Sequence, residues 1–297
     1  GVYALRELLP AVDFSMDRQL LQKAQLPLAA PSANPSGEPS PKNAAKVVEY
    51  FDGKISAVID GGECGIGTES TIIDMSKTPY KILREAALPK ETIRKALADD
   101  LTVLGITGGT GCGKTTALRQ LEALGAMIID CDAVYHELLE TDDKLLNAIE
   151  TAFPGSVTDG KLDRKRLGGI VFGSERDLKL LNEITHHYIS LEVERRLCDF
   201  AMNGGELAAI DAIALIESGL AKRCKAVIGI VAETETRVQR IMKRDGISRE
   251  YAVKRIAAQK PNEFFENSCD YVLHNDTTER DFADKCTNLY KEVLKNG

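Results

Sequence analysis

Lys114 and Thr115 close the run Gly108-Gly109-Thr110-Gly111-Cys112-Gly113-Lys114-Thr115-Thr116, a full match to G-x-x-x-x-G-K-[ST]. Glycines at this density let backbone N–H groups curl around an anion without Cβ clashes. A lysine directly after them places a point charge against β- and γ-phosphates, and the hydroxyl that follows suits a Mg²⁺ ion carried by the nucleotide. The chemistry implied is nucleotide binding and phosphoryl transfer. A second candidate group is Asp130-Cys131-Asp132. A carboxylate there could orient an acceptor hydroxyl or take its proton, with Asp132 the stronger candidate. The competing use is to cap the following helical segment, 133–140, since Asp is a favoured N-cap.

Those residues need particular elements around them. Leu101–Thr107 is a short β-rich run suited to a buried parallel strand. After the loop, Ala117, Leu118, Leu121 and Leu124 share one helical face, and Gly125 is placed to stop that helix. Its N-terminus would aim the positive end of the helix dipole at the bound phosphate. Ala126–Asp130 reads as the next strand, so its carboxylates fall at the ligand-binding edge of a parallel sheet. Residues 133–200 then read as a helical insertion able to cover an acceptor. A basic helical stretch at 236–260 is a candidate lid, with eight Lys and Arg between 237 and 260. The final helix, with Phe282, Cys286, Leu289, Tyr290, Val293 and Leu294 on one stripe, is core packing. The fold class predicted is α/β: a P-loop kinase domain with a central parallel sheet, a helical acceptor-binding insertion and a lid, preceded by a partial α/β segment.

No guanine-reading N-K-x-D follows the loop, which argues against a GTPase, and no L-S-G-G-Q segment supports an ABC-type ATPase. A small-molecule kinase fits better. Cys112 stands inside the loop at a helix start, where the dipole and Lys114 both favour thiolate. The expectation is a reactive, accessible thiol that MgATP covers.

The chain has 297 residues, comfortable for two domains, with 43% hydrophobic and 28% charged residues. It opens on Gly1-Val2-Tyr3-Ala4-Leu5-Arg6 rather than Met, as expected of a chain missing its N-terminus, and this start carries no export signal. No stretch approaches the roughly 20 apolar residues of a membrane span. A net charge of −7 provides no overall basic field for nucleic acid, so none is expected as a partner of the kinase part. Seven cysteines at 64, 112, 131, 198, 224, 269 and 286 contain no C-x-x-C pair. They predict reduced thiols and a cytoplasmic protein.

Residues 1–98 have another texture, rich in loop residues over 31–41. Strands are expected at Ile55–Asp60, Thr71–Asp74 and Tyr80–Arg84, then a helix at Lys90–Leu97 and a linker of Ala98-Asp99-Asp100.

The segments 105–115, Ile128-Ile129-Asp130-Cys131-Asp132, 162–167, Ile184-Thr185-His186, Asp211 through Leu220, 244–248, 255–259 and 270–275 together resemble dephospho-CoA kinases across 101–297. The resemblance implies ATP-dependent phosphorylation of the ribose 3′-hydroxyl of dephospho-CoA, with ATP and Mg²⁺ required. It implies Asp132 as base, and Lys114 and Arg244 as catalytic groups. Gly108, Gly109, Thr110, Gly111, Cys112, Gly113, Thr115, Thr116, Arg240, Arg255 and Asn275 would face ATP or its phosphates. Arg164, His186 and Glu217 would form the acceptor side. Ile213, Ala214, Phe265, Cys112 and His187 depart from that family's usual residues without removing a group the chemistry needs.

Residues 24–97 are similar to the threonylcarbamoyl-AMP synthase family, through 27–37, Ile59-Asp60-Gly61-Gly62, Glu69-Ser70-Thr71-Ile72-Ile73-Asp74 and Ile82-Leu83-Arg84. That likeness implies Ser32, Asn34, Ser70 and Arg84 as nucleotide-facing. Only about the second half of such a domain is covered, so a remnant or truncated fusion partner without synthase activity is expected. The alternatives are another P-loop nucleoside or small-molecule kinase, or a bifunctional fusion that also makes threonylcarbamoyl-AMP for tRNA modification.

Overall fold

The structure is a computed structural model that describes residue 23 and residues 33–65 and 68–295. It divides into two compact units, with the boundary after Asp99.

In the first unit, Asn43 caps α1 (Ala44–Phe51), its side chain accepting from Lys46 N at 3.0 Å. β1 (Ile72–Asp74) and β2 (Lys81–Arg84) pair antiparallel, and α2 spans Lys90–Asp99. The expected strand at Ile55–Asp60 does not form. A strand exists only by pairing its backbone, and this run has no partner strand among the described residues. Ile55, Val58 and Ile59 are exposed, while Asp60 Oδ1 accepts from Gly62 N in a turn at 2.9 Å. The helix also runs through Ala98 and Asp99, so most of the expected linker is helical.

The second unit begins with β3 (Thr102–Thr107), buried from Val103 onward. α3 (Lys114–Ala123) follows the glycine run, and β4 (Met127–Asp130) leads directly into α4 (Cys131–Thr141). The helical insertion continues through α5 (Asp143–Ala152), a two-residue hairpin of β5 (Val157–Thr158) and β6 (Lys161–Leu162), α6 (Arg164–Val171), and the 28-residue α7 (Glu175–Met202). Helix α7 packs against α4, α5 and α6. The chain returns to the sheet as β7 (Leu207–Asp211) and β8 (Ala226–Val231). Next come α8 (Thr234–Asp245), α9 (Arg249–Ala257), α10 (Asn262–Ser268), β9 (Tyr271–His274) and α11 (Glu279–Lys295).

The five long strands form one parallel sheet in the order β4-β7-β3-β8-β9. Parallel strands covered on both faces need near-continuous apolar runs. β8, with all six residues buried, is such a run. The stripe on α11 is core as expected: Phe282, Cys286, Tyr290 and Val293 are buried in one cluster with Ala117 and Leu121 of α3 and Leu104, Ile106 and Ile228 of the sheet. Tyr290 Oη donates to Ala117 O at 3.2 Å, so its polar tip is satisfied inside that core.

The basic stretch expected as one helical region is two helices. Gly246 at φ 66° ends α8, and Ser248 caps α9 through Tyr251 N. Val238 and Ile241 of α8 pack on Ala252 and Ile256 of α9. Among the described residues no helix is long and apolar enough to cross a membrane.

Candidate active site

The phosphate loop joins β3 to α3 and is held from behind by residues far along the chain. Arg237 Nε donates to Thr110 O at 3.0 Å, Arg240 Nη1 to Gly111 O at 3.4 Å, and Asn275 Nδ2 to Cys112 O at 2.8 Å. Three successive carbonyls are thereby taken by side chains. The N–H groups of Gly111, Gly113, Lys114 and Thr115 have no protein acceptor among the described residues. Such free amides at a helix start bind anions. Gly113 sits at φ 98°, and a Cβ there would strike the Asn275 amide. A Cβ at Gly109 would strike the Arg237 guanidinium. The loop needs glycine at both positions because its supports approach so closely.

Asn275 and Arg240 were expected to face the nucleotide. Asn275 is instead buried, and its Oδ1 and backbone oxygen accept from Arg240 Nη2 at 3.2 and 3.1 Å. Both side chains brace the loop. Arg237, which also braces the loop, is 3% exposed. The sequence offered no sign that separated it from the other seven basic residues of that stretch.

Cys112 contradicts the expectation of a reactive thiol. It is fully buried, and burial pushes its pKa up despite Arg237 and Lys114, which act to lower it. The helix-start position is real, but the side chain faces the core cluster under the loop.

Lys114 Nζ donates to Gly108 O at 3.1 Å and lies 3.9 Å from Asp211 Oδ1. Asp211 ends β7, next to the loop strand, and its side chain is only 15% exposed. Burial raises its pKa to about 6, with Lys114 opposing and Asp130 and Asp132 adding to the rise. Its Oδ1 is buried without a hydrogen-bond partner. The strand-end logic applied to Asp130 also fits Leu207-Ala208-Ala209-Ile210-Asp211, and would have found this residue from the sequence.

Asp130 is the register partner of Asp211 on the neighbouring strand. It is the helix cap: its Oδ1 accepts from Asp132 N at 2.9 Å and Ala133 N at 3.1 Å. Asp132, in the first turn of α4, is exposed, and its side chain takes no part in the cap.

Asp132 lines a cavity of about 160 Å³ with Tyr135, Thr185, His186, Ser218 and Leu220. Burial lowers the pKa of His186, and Glu217 opposes that fall. Burial raises Tyr135, and Arg164 opposes that rise. Of the three residues expected on the acceptor side, His186 lines this cavity, whereas Arg164 and Glu217 are not in its wall. Cys131, also in the wall, is pushed up to about 12 by burial and by the surrounding carboxylates.

Arg244 and Arg255 are placed elsewhere. Arg244 donates to both Asp245 oxygens, at 2.6 and 3.0 Å, and Arg255 Nη1 to Asp245 Oδ2 at 2.7 Å. Both are exposed; the Arg255 bond ties α9 to α8, Arg244 bonds within α8, and neither hydrogen-bonds to the phosphate loop. Thr115 is exposed, and Thr116 N donates to Gly113 O at 3.1 Å in the first turn of α3.

In the first unit, Ser32 lies outside the described residues. Asn34 Nδ2 donates to Pro35 O at 3.2 Å and Glu38 O at 2.6 Å, closing a tight turn. Arg84 binds Glu69, donates to Ser70 O at 3.0 Å, and reaches Ser70 Oγ at 3.4 Å. Ser70 and Arg84 are thus together, with the guanidinium already held by protein groups.

Comparison with known proteins matches this geometry. A family model described as dephospho-CoA kinase covers residues 102–281. A second, described as telomere recombination and covering YrdC-type domains, matches 11–86, starting upstream of the expected residue 24. The dephospho-CoA kinase of Lactobacillus johnsonii is 33% identical over 192 residues, 64% of this chain and 97% of its own. That of Geobacter sulfurreducens is 37% identical over 180 residues, 60% of this chain and 91% of its own. A crystal structure from Thermus thermophilus superposes with a TM-score of 0.55 at 29% identity, covering 65% of this chain and 97% of that one. With the phosphate loop, the strand-end carboxylates and the cavity beside them all inside the matched region, the chain belongs to the dephospho-CoA kinase family.

Proposed function

We propose that the protein transfers the γ-phosphoryl group of ATP to the ribose 3′-hydroxyl of dephospho-CoA, forming coenzyme A and ADP in the cytoplasm. The observation that carries this reading is the row of carboxylates at the sheet edge. Asp211 stands beside Lys114, its register partner Asp130 caps α4, and Asp132 follows into the cavity with His186.

The free amides of the loop and Lys114 hold the triphosphate and take up charge developing on the transferred group. Asp132 accepts the proton of the acceptor hydroxyl as its oxygen bonds to the γ-phosphorus. The bond from that phosphorus to the bridging oxygen breaks, and ADP departs. Arg164, His186 and Glu217 are assigned to acceptor binding, and Arg244 and Arg255 to a lid that moves toward the phosphates.

The Thr115 hydroxyl and the Asp211 carboxylate are hard oxygen donors, and the unpartnered Asp211 Oδ1 fits a ligand role. Mg²⁺ held there with the triphosphate would neutralise phosphate charge. Among the described residues no cluster of three or more His, Cys, Asp or Glu could hold a metal by itself, and Mg²⁺ commonly relies on substrate phosphates for the rest of its shell.

We assign residues 101–297 to the kinase and 1–98 to a partial YrdC-type segment.

The test is incubation of the purified full chain with MgATP and a panel of acceptors, with products identified by mass spectrometry. CoA formed from dephospho-CoA in preference to nucleosides is expected. Efficient turnover of another acceptor and none of dephospho-CoA would overturn the assignment. Threonylcarbamoyl-AMP made from ATP, threonine and bicarbonate would instead establish a bifunctional enzyme.

A further inference from the structure

Thr110, at the crest of the phosphate loop, has each of its polar groups bound by the same two side chains. Its N–H donates to Gln259 Oε1 at 2.9 Å, and its Oγ1 accepts from Gln259 Nε2 at 2.8 Å. Its carbonyl accepts from Arg237 Nε at 3.0 Å, and Arg237 Nη2 donates to the same Gln259 Oε1 at 2.9 Å. Gln259 follows the end of α9, and Arg237 lies in α8. These helices pack through Val238, Ile241, Ala252 and Ile256. The contact is close enough that a Cβ on Gly109 would come within 3.0 Å of Gln259 Oε1.

We propose that Gln259 is a positioning residue for phosphoryl transfer: it fixes Thr110 and so ties the α8–α9 helix pair to nucleotide binding. A neutral amide suits this post. Its oxygen receives two donors while its nitrogen supplies the hydrogen bond to the threonine hydroxyl. Removing the amide leaves the Thr110 N–H and one arm of the 3%-exposed Arg237 without a partner, and unsatisfied buried donors are costly. The loop would relax toward geometries that no longer present its remaining amides to phosphate. Because α9 also carries Arg255, the same clamp sets where the lid stands relative to the loop.

The inference rests on ATP as the donor but not on the acceptor, so ATP binding is measured by itself, by calorimetry on the full chain. Gln259→Leu, similar in size but without polar atoms, should weaken ATP binding about tenfold, the effect of roughly 1.4 kcal/mol. KM for dephospho-CoA should stay within about twofold, since the acceptor cavity is lined by other elements. Gln259→Glu keeps an oxygen for the Thr110 N–H and Arg237, and should recover most of the lost affinity. Wild-type ATP affinity in Gln259→Leu, an equal loss for both substrates, or no recovery in Gln259→Glu would each overturn the proposal. If Gln259→Leu fails to fold, amide exchange on the wild-type protein decides. The Thr110 N–H should be protected without nucleotide, and exchange as fast as an unbonded loop amide would overturn it.

Discussion

Asp130 and Asp211 are register partners at the C-terminal edge of the sheet, yet each does a different job. Asp130 has turned into the backbone to cap α4. Asp211 keeps a buried, unpartnered oxygen 3.9 Å from Lys114. Because Asp130 takes the cap, the carboxylate of Asp132 stays available at the cavity.

That division separates two substitutions. Asp132→Asn should lower kcat by about 10²–10⁴-fold, the usual worth of a general base, with ATP affinity and melting temperature unchanged. Asp130→Ala should cost about 1 kcal/mol of stability, the usual worth of an Asp cap. Steady-state kinetics and thermal melts read both. A collapse of ATP affinity in Asp132→Asn with kcat intact would make Asp132 a nucleotide or metal group.

Lys114→Ala should lower kcat/KM at least about 100-fold by removing charge from the phosphates. Stability below about pH 6 should fall little, because Asp211, raised to about 6 by burial, is protonated there with or without its cation. A carboxyl raised in the folded state stabilises fully below its unfolded value, and that contribution is lost as pH rises through the folded one. The stability gap between wild type and variant should therefore be smallest near pH 4 and widen as pH rises through about 6. Denaturant titrations across pH test this. Turnover within tenfold of wild type would remove Lys114 from the mechanism.

His186 carries a depressed pKa because burial disfavours its charged form. The stability this reflects is present above the ordinary histidine value of about 6.5 and is lost as pH falls through the lower folded value. His186→Gln should flatten the stability profile on the acid side of neutrality. Superimposable profiles for the two proteins would show that His186 is not desolvated in solution.

Cysteine reactivity should follow burial. Cys64 is exposed, whereas Cys112 is buried with a raised pKa, and Cys131 and Cys224 are pushed to about 12. Timed iodoacetamide labelling near pH 8, with peptide mapping, should find Cys64 modified first. Cys112 should be slow with or without MgATP. Rapid labelling of Cys112 that MgATP suppresses would mean that the loop opens widely between turnovers.

A fragment beginning at Asp100 should retain kinase activity, since β3 and its sheet partners lie wholly after that point. Insolubility or inactivity of the fragment would show that the first unit completes the kinase core.

The sequence by itself determined the phosphate loop, the strand before it, the helix after it and the stripe on the last helix. Each is a contiguous pattern whose spacing reports local geometry. That Asp132 and His186 line one cavity was also legible, from strand-end placement for the first and family resemblance for the second. What only the tertiary structure decided is how the loop is held. Thr110 meets Arg237 127 positions away and Gln259 149 positions away, and no periodicity connects such distant residues. The same packing buried Cys112, so desolvation outweighed the dipole and Lys114 that argued for a thiolate. It withdrew Asn275 and Arg240 into the loop's support, and it left Ile55–Asp60 unpaired. Pairing, burial and the choice of hydrogen-bond partner depend on which segments come together in space, and that is settled by the whole core at once rather than by neighbours in the chain.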